Sequence, residues 1–211
     1  MTYLLPIFSI AGAIMIGAIS PGPSFVLVLR TSVAVSRRAG LATALGMGIG
    51  GVIFGGLALL GLQAVIAKVG WLYLGLKIAG GAYLIYLAVR IWRGATAPLS
   101  VSVAAETTGA SFGRSFLIGL VTQLSNPKAA VVYGSIFAAL LPQQAPAWTF
   151  AVLLPLLFLV EAGWYSIVAV AFSSAKPRAV YMRAKTWIDR LAGSVIAALG
   201  IKLIVESART H

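Results

Sequence analysis

The stretch "ISPGPSFVL" (Ile19–Leu27) sets two prolines around a glycine within a run, Met1 to Leu29, that holds no charged residue. Proline in a helix interior costs about 3 kcal/mol or more, because it removes a hydrogen bond and its ring clashes with the preceding turn. The tripeptide therefore interrupts a segment that otherwise has the character of a membrane helix. "LSNPKAAVV" (Leu124–Val132) repeats the device about 104 to 106 residues later, again amid apolar sequence. Ser20 precedes Pro21 in the first motif and Asn126 precedes Pro127 in the second. Serine and asparagine are good N-caps, and proline suits the first helical position. Each motif thus reads as a place where one helix stops and a half-helix begins.

Composition supports lipid as the solvent. Of 211 residues, 60% are hydrophobic and only 9% charged, whereas a soluble domain carries roughly 25% charged residues. The net charge of +12 follows the positive-inside pattern of membrane loops rather than a nucleic-acid footprint. The N-terminus has no basic stretch before its apolar run, so it reads as a first span and not a cleaved signal. Cysteine is absent and His211 is the sole histidine, so no metal, no cofactor and no thiol chemistry is expected. Paired acids are missing too, which argues against an enzyme.

A helix needs about 20 apolar residues to cross a bilayer. Six spans are expected, at about Pro6–Leu29, Leu41–Ala67, Val69–Ile91, Ser115–Leu141, Trp148–Phe172 and Trp187–Val205. "PQQAP" (Pro142–Pro146) separates the fourth from the fifth. Alternate loops hold Arg30, Arg37 and Arg38, then Arg90, Arg93 and Arg114, then Lys176, Arg178, Arg183, Lys185 and Arg190. Those loops are expected on the cytoplasmic side of the membrane, with both termini outside. Lys68 and Arg209, with Lys202 near them, fall on the other side.

The expected fold class is an all-α integral membrane protein of six transmembrane helices, arranged as two inverted three-helix repeats with broken first helices. Residues 1–93 form the first repeat, 94–110 a cytoplasmic linker rich in small residues, and 111–211 the second repeat. Three spans are an odd number, so the second half enters the membrane from the opposite side, as in many secondary transporters. Unwound backbone at that depth is tolerated only where it lines a cavity or is buried in protein. Each half-helix start offers unpaired N–H groups and about half a positive charge, which suits a carboxylate. The expected substrate-binding residues are therefore Ser20, Pro21, Gly22 and Pro23 at one break, with Gln123, Ser125, Asn126, Pro127 and Lys128 at the other.

Three charged side chains stand out inside the spans: Lys77, Lys128 and Glu161. Such residues usually serve ion pathways, proton relays or substrate. Glu161, taken as the one intramembrane carboxylate, is expected either to relay protons, to bind a substrate ammonium, or to pair with Lys128 or Lys77. Gly46, Gly48 and Gly51 in "GMGIGG" match a dinucleotide-binding pattern only formally, since no acidic residue follows at the required distance. They read as close helix packing, within the bundle or across a homodimer. Tyr73, Tyr83, Tyr86, Trp92, Trp148 and Trp187 read as interfacial anchors.

The segments "SPGPSFVLVLRTSVAVSRRAGLATALGMGIG", "KIAGGAYLIYLAVRIWR", "LIGLVTQLSNPKAAVVYGSIFAALLP" and "RLAGSVIAALGIKLI" resemble the LysE/RhtB family of bacterial amino-acid exporters, in the right order over nearly the whole chain. The resemblance implies export of amino acids or close analogues, driven by the proton gradient. Its motifs map onto Pro21, Gly22, Pro23, Asn126, Pro127 and Lys128, with Glu161 and Trp164 as the acidic and aromatic pair of span five. The family often has aspartate at the position of Glu161 and glycine near Ser36. The expected function is proton antiport of a small amino acid, neutral or homoserine- and threonine-like. Export of basic amino acids or cations, or a passive channel, remain the alternatives.

Overall fold

The computed structural model describes residues 3–68, 70–97, 111–142 and 145–209. Residues 98–110 of the expected linker, Val69, Gln143, Gln144 and His211 lie outside the described residues, as do the side chains of Lys68, Tyr73 and Arg209. The described chain is all-helical: α1 (Leu4–Ile19), α2 (Pro23–Ala34), α3 (Arg37–Lys68), α4 (Gly70–Gly94), α5 (Phe112–Leu124), α6 (Pro127–Leu140), α7 (Trp148–Ala171) and α8 (Ala175–Arg209). Helices α3, α7 and α8 are each long and apolar enough to cross a membrane, and α1 with α2 forms a further candidate span bent by 60°.

Both expected interruptions fall where proline ends one helix and starts another. Ser20 caps the end of α1, and Gly22 precedes α2 in extended conformation (φ −149°, ψ −168°) with Pro23 at the first helical position. Ser125 ends α5, and Asn126 (φ −83°, ψ 105°) opens α6 ahead of Pro127.

The last span differs from expectation. Helix α8 begins at Ala175, not near Trp187, so Lys176, Arg178, Arg183, Lys185 and Arg190 stand on a helix rather than in a loop. The polar start of that segment hides its helicity from a hydropathy reading. Its cations are accommodated by specific neighbours: Arg190 lies over the rings of Trp92 (5.7 Å) and Trp187 (5.9 Å). Trp92 and Trp187 thus stack on an arginine beyond any role as anchors.

The broadest helix packings are α4 on α8, α3 on α7 and α3 on α5. Small residues allow them. A Cβ on Gly46 would meet the backbone of Phe116 and Leu120 on α5, and one on Gly119 would meet the backbone of Thr43 on α3. A Cβ on Gly48 would come within 2.7 Å of the Ala162 Cβ on α7. At the α4–α8 crossing, a Cβ on Gly81 would lie 2.8 Å from the Gly200 carbonyl oxygen. The "GMGIGG" glycines therefore serve packing inside the bundle. This packing also holds Gln123 of α5 and Glu161 of α7 against the same helix.

Adding one methyl at the α3–α5 crossing should separate two backbones. Gly46→Ala is expected to lower stability despite alanine's helix advantage of about 1 kcal/mol. Gly56→Ala, with nothing within 4 Å of the added carbon, is expected to keep that gain. Thermal unfolding of the two purified variants in detergent checks the contrast.

Candidate functional site

A helix end leaves four carbonyls without intrahelical partners, and apolar surroundings make orphaned ones costly. At the end of α1 the Ile16 carbonyl accepts from the Ser20 amide at 3.3 Å. Lys128 Nζ donates to the carbonyls of Gly17 and Ser20, both at 3.3 Å. The Tyr181 hydroxyl donates to the Ile19 carbonyl at 2.8 Å. Tyr181 is itself held between Phe25 and Phe172, with ring centroids 4.9 and 4.8 Å away. The broken end of α1 is thus satisfied largely by α6 and α8.

The start of α6 is tied back to α2. Asn126 Oδ1 accepts from the Lys128 amide at 3.0 Å, and its Nδ2 donates to Ser24 Oγ at 3.1 Å. Ser24 Oγ in turn donates to Gln123 Oε1 at 3.0 Å. Gly22 provides α2 with no side-chain cap. A Cβ there would lie 3.7 Å from Lys128 Nζ, so the bare glycine keeps the ammonium close to open backbone.

Two cavities meet at these breaks. The inner one, about 40 Å³, is lined by residues of both breaks together with Tyr133, Glu161 and Tyr165. At about 10–15 Å³ per water centre, it has room for a few waters. The outer vestibule, about 730 Å³, reaches Arg30, Arg90, Lys185 and Asp189. Ser20, Gly22, Asn126 and Lys128 line both and form the partition between them. The vestibule involves the end of α4 and the first half of α8, the same end of the bundle as the basic segments.

A carboxylate serves each side. Glu161 is 3% exposed; its Oε1 accepts from the Tyr133 hydroxyl at 3.0 Å, and its Oε2 has no hydrogen-bond partner among the described residues. The glycines of α3 admit this arrangement, since a Cβ on Gly51 would lie 2.7 Å from the Tyr133 hydroxyl and 3.0 Å from Glu161 Cγ. Asp189, buried at 4% exposure, accepts from Ser20 Oγ at 2.9 Å and from Lys185 Nζ at 2.8 Å. Lys185 also donates to the carbonyls of Gly94 and Ala95 at the end of α4. Lys128 lies in the electrostatic reach of both acids.

Of the expected site residues, Ser20, Gly22, Gln123, Asn126, Lys128 and Glu161 come together at the inner cavity. Pro21, Pro23 and Pro127 line the vestibule. Ser125 is exposed at the end of α5, and Lys77 is half-buried on α4; neither is among the residues lining these cavities. The direct partners of the Lys128 ammonium are carbonyls rather than a carboxylate. Glu161 is not the one buried acid: Asp189 is a second, and Ser24 a further connecting residue. The Lys185–Asp189 spacing, one helical turn, was the available signal for the former.

The model of the LysE type translocator family matches residues 15–207, which includes both breaks, Glu161 and Asp189. The chain belongs to the LysE type translocator family. It is therefore a transport protein and not an enzyme. It is 36% identical to a threonine efflux protein of Salmonella typhi over 96% of this chain and 99% of that one. It is 34% identical to a threonine efflux protein of Escherichia coli (strain K12), with the same coverage. A leucine efflux protein of Salmonella choleraesuis is 34% identical over 65% of this chain and 63% of its own length. No solved structure matches the translocator chain.

Asn126→Ala removes a helix cap and takes from Ser24 the donor it accepts from. Losing a cap and one buried hydrogen bond to Ser24, whose hydroxyl still donates to Gln123, is expected to destabilise the fold by about 1–3 kcal/mol. Unchanged thermal unfolding would mean that the breaks are held together elsewhere.

Proposed function

We propose that the protein is a secondary exporter of a small neutral amino acid, threonine-like in size, working by proton antiport across the bacterial cytoplasmic membrane. The observation that carries this reading is the meeting of two broken helices at one cavity that also holds Glu161. The efflux activity named for relatives of matching length supports the cargo class. In the proposed architecture, six spans form two inverted repeats, residues 1–93 and 111–211 joined by 94–110. The broad packing of α3 on α7 and of α4 on α8 supports it, because these are the corresponding helices of the two halves.

The basic end of the bundle faces the cytoplasm under the positive-inside rule, so the wide vestibule is the loading side and both termini lie outside. The vestibule's charged lining is Arg30, Arg90, Lys128, Lys185 and Asp189. That balance attracts a carboxylate and disfavours lysine or arginine as cargo, which favours a zwitterion over a basic amino acid. The substrate carboxylate takes the open amides at the start of α2 and the ammonium of Lys128. Its own ammonium and a proton compete for Glu161. Such competition makes exchange obligatory: an inbound proton displaces the amino acid outside, and an amino acid loads only after the proton leaves inside. One charge moving down 100 mV releases about 2.3 kcal/mol, enough for about a fifty-fold gradient.

Glu161→Gln keeps the size and hydrogen-bonding of the side chain without its charge. In proteoliposomes it is expected to abolish uphill transport driven by a pH gradient while leaving part of the substrate exchange. Undiminished pH-driven transport by this variant would remove the proton role from Glu161.

A further inference from the structure

Among the described residues lining the vestibule, Asp189 is the only acid, and Arg30, Arg90, Lys128 and Lys185 supply four cations. An amino acid approaching from that side presents a carboxylate to a surplus of positive charge and an ammonium to this single counter-charge. A purely anionic acid of the same size would meet the same cations with nothing to reject it. Discrimination between related ligands needs an element that is left unsatisfied by the wrong one.

The side chain is built for that task. Lys185 spends its three donors on Gly94, Ala95 and Asp189 Oδ2, so it fixes the carboxylate in place at the vestibule wall. The other oxygen, Oδ1, receives only the neutral hydroxyl of Ser20, at 2.9 Å. Ser20 lines both cavities, and its carbonyl accepts from Lys128. An ammonium is a charged donor and competes well with a hydroxyl for a carboxylate oxygen.

We propose that Asp189 forms, with Ser20 and Lys128, an entry subsite that recognises the ammonium group of a zwitterionic substrate before it passes the breaks. The arriving ammonium takes Oδ1 from Ser20. The released Ser20 hydroxyl then donates to the substrate's carboxylate, which lies beside Lys128. An acid with no ammonium cannot release Ser20 and sets its carboxylate beside Asp189, whose one ion pair among the described residues is with Lys185. Such a role presupposes the exporter function of the preceding subsection, and it adds a second acid to the path, upstream of Glu161.

The test is counterflow of labelled threonine by the full chain in proteoliposomes, inhibited either by threonine or by 2,3-dihydroxybutanoate, which carries hydroxyl in place of ammonium. Wild type is expected to prefer threonine by about tenfold or more. Asp189→Asn is expected to collapse that preference, by raising the threonine concentration needed for half-inhibition while leaving that of the dihydroxy acid unchanged. A loss of folded protein would lower both inhibitors' signals together and leave their ratio intact, so the ratio separates recognition from structure. If Asp189→Asn does not yield monodisperse protein, Asp189→Glu decides alone. Its displaced charge is expected to raise half-saturation by threonine severalfold and leave that by the dihydroxy acid unchanged. An unchanged ratio in the folded variant overturns the role of Asp189. If wild type carries no threonine, leucine and 2-hydroxy-4-methylpentanoate replace the pair, and absence of counterflow with any amino acid removes the exporter function instead.

Discussion

The broken end of α1 governs the rest of the structure, because carbonyls freed in apolar surroundings must find donors within the protein. The first half of the chain does not supply all of them. Lys128 and Tyr181, both in the second half, donate to Gly17, Ile19 and Ser20. In the reverse direction, Ser24 of the first half takes the Asn126 amide. The two halves therefore interlock at the one place where each is incomplete. A helix interruption that would destabilise an isolated span becomes the point of assembly.

That exchange also arranges the charges. Lys128 is held by carbonyl dipoles instead of by a carboxylate, so its positive charge remains available to both cavities. The two buried acids are then held differently. Among the described residues, Glu161 has a tyrosine hydroxyl on one oxygen and no close hydrogen bond on the other, whereas both oxygens of Asp189 are engaged. Removing one partner of a buried ion pair is far more damaging than removing both, which explains why Lys185 also holds the end of α4. The vestibule acid is anchored to the scaffold; the inner acid keeps one oxygen open.

Sequence patterning carried the interruptions themselves, because proline and its capping residue act locally: Pro21–Pro23 and Asn126–Pro127 end helices for reasons contained within a few residues. Glu161 was legible for the same reason, as a lone charge in an apolar window. Asp189 was not, since Lys185 and Asp189 sit one turn apart in a polar stretch and look like an ordinary solvated pair. Its partner Ser20 lies 169 residues away, a separation set by helix crossings that no periodicity encodes. Ser24 was hidden likewise, its contacts to Gln123 and Asn126 spanning 99 and 102 residues. The glycines of α3 announced close packing without saying against what. In the structure they meet α5 and α7, and this is what brings Gln123 and Glu161 to one cavity.

The contacts at the partition differ in kind. Good N–H···O bonds lie between about 2.7 and 3.2 Å. Lys128 reaches its two carbonyls at 3.3 Å, while Tyr181 and Lys185 hold theirs at 2.8 and 3.0–3.1 Å. Both partners of the Lys128 ammonium are neutral carbonyls, so it gains from a charged acceptor. A carboxylate offers it a charged acceptor in place of two stretched neutral ones. In the proposed exporter, a substrate carboxylate that drew Lys128 toward itself would expose the Gly17 and Ser20 carbonyls again.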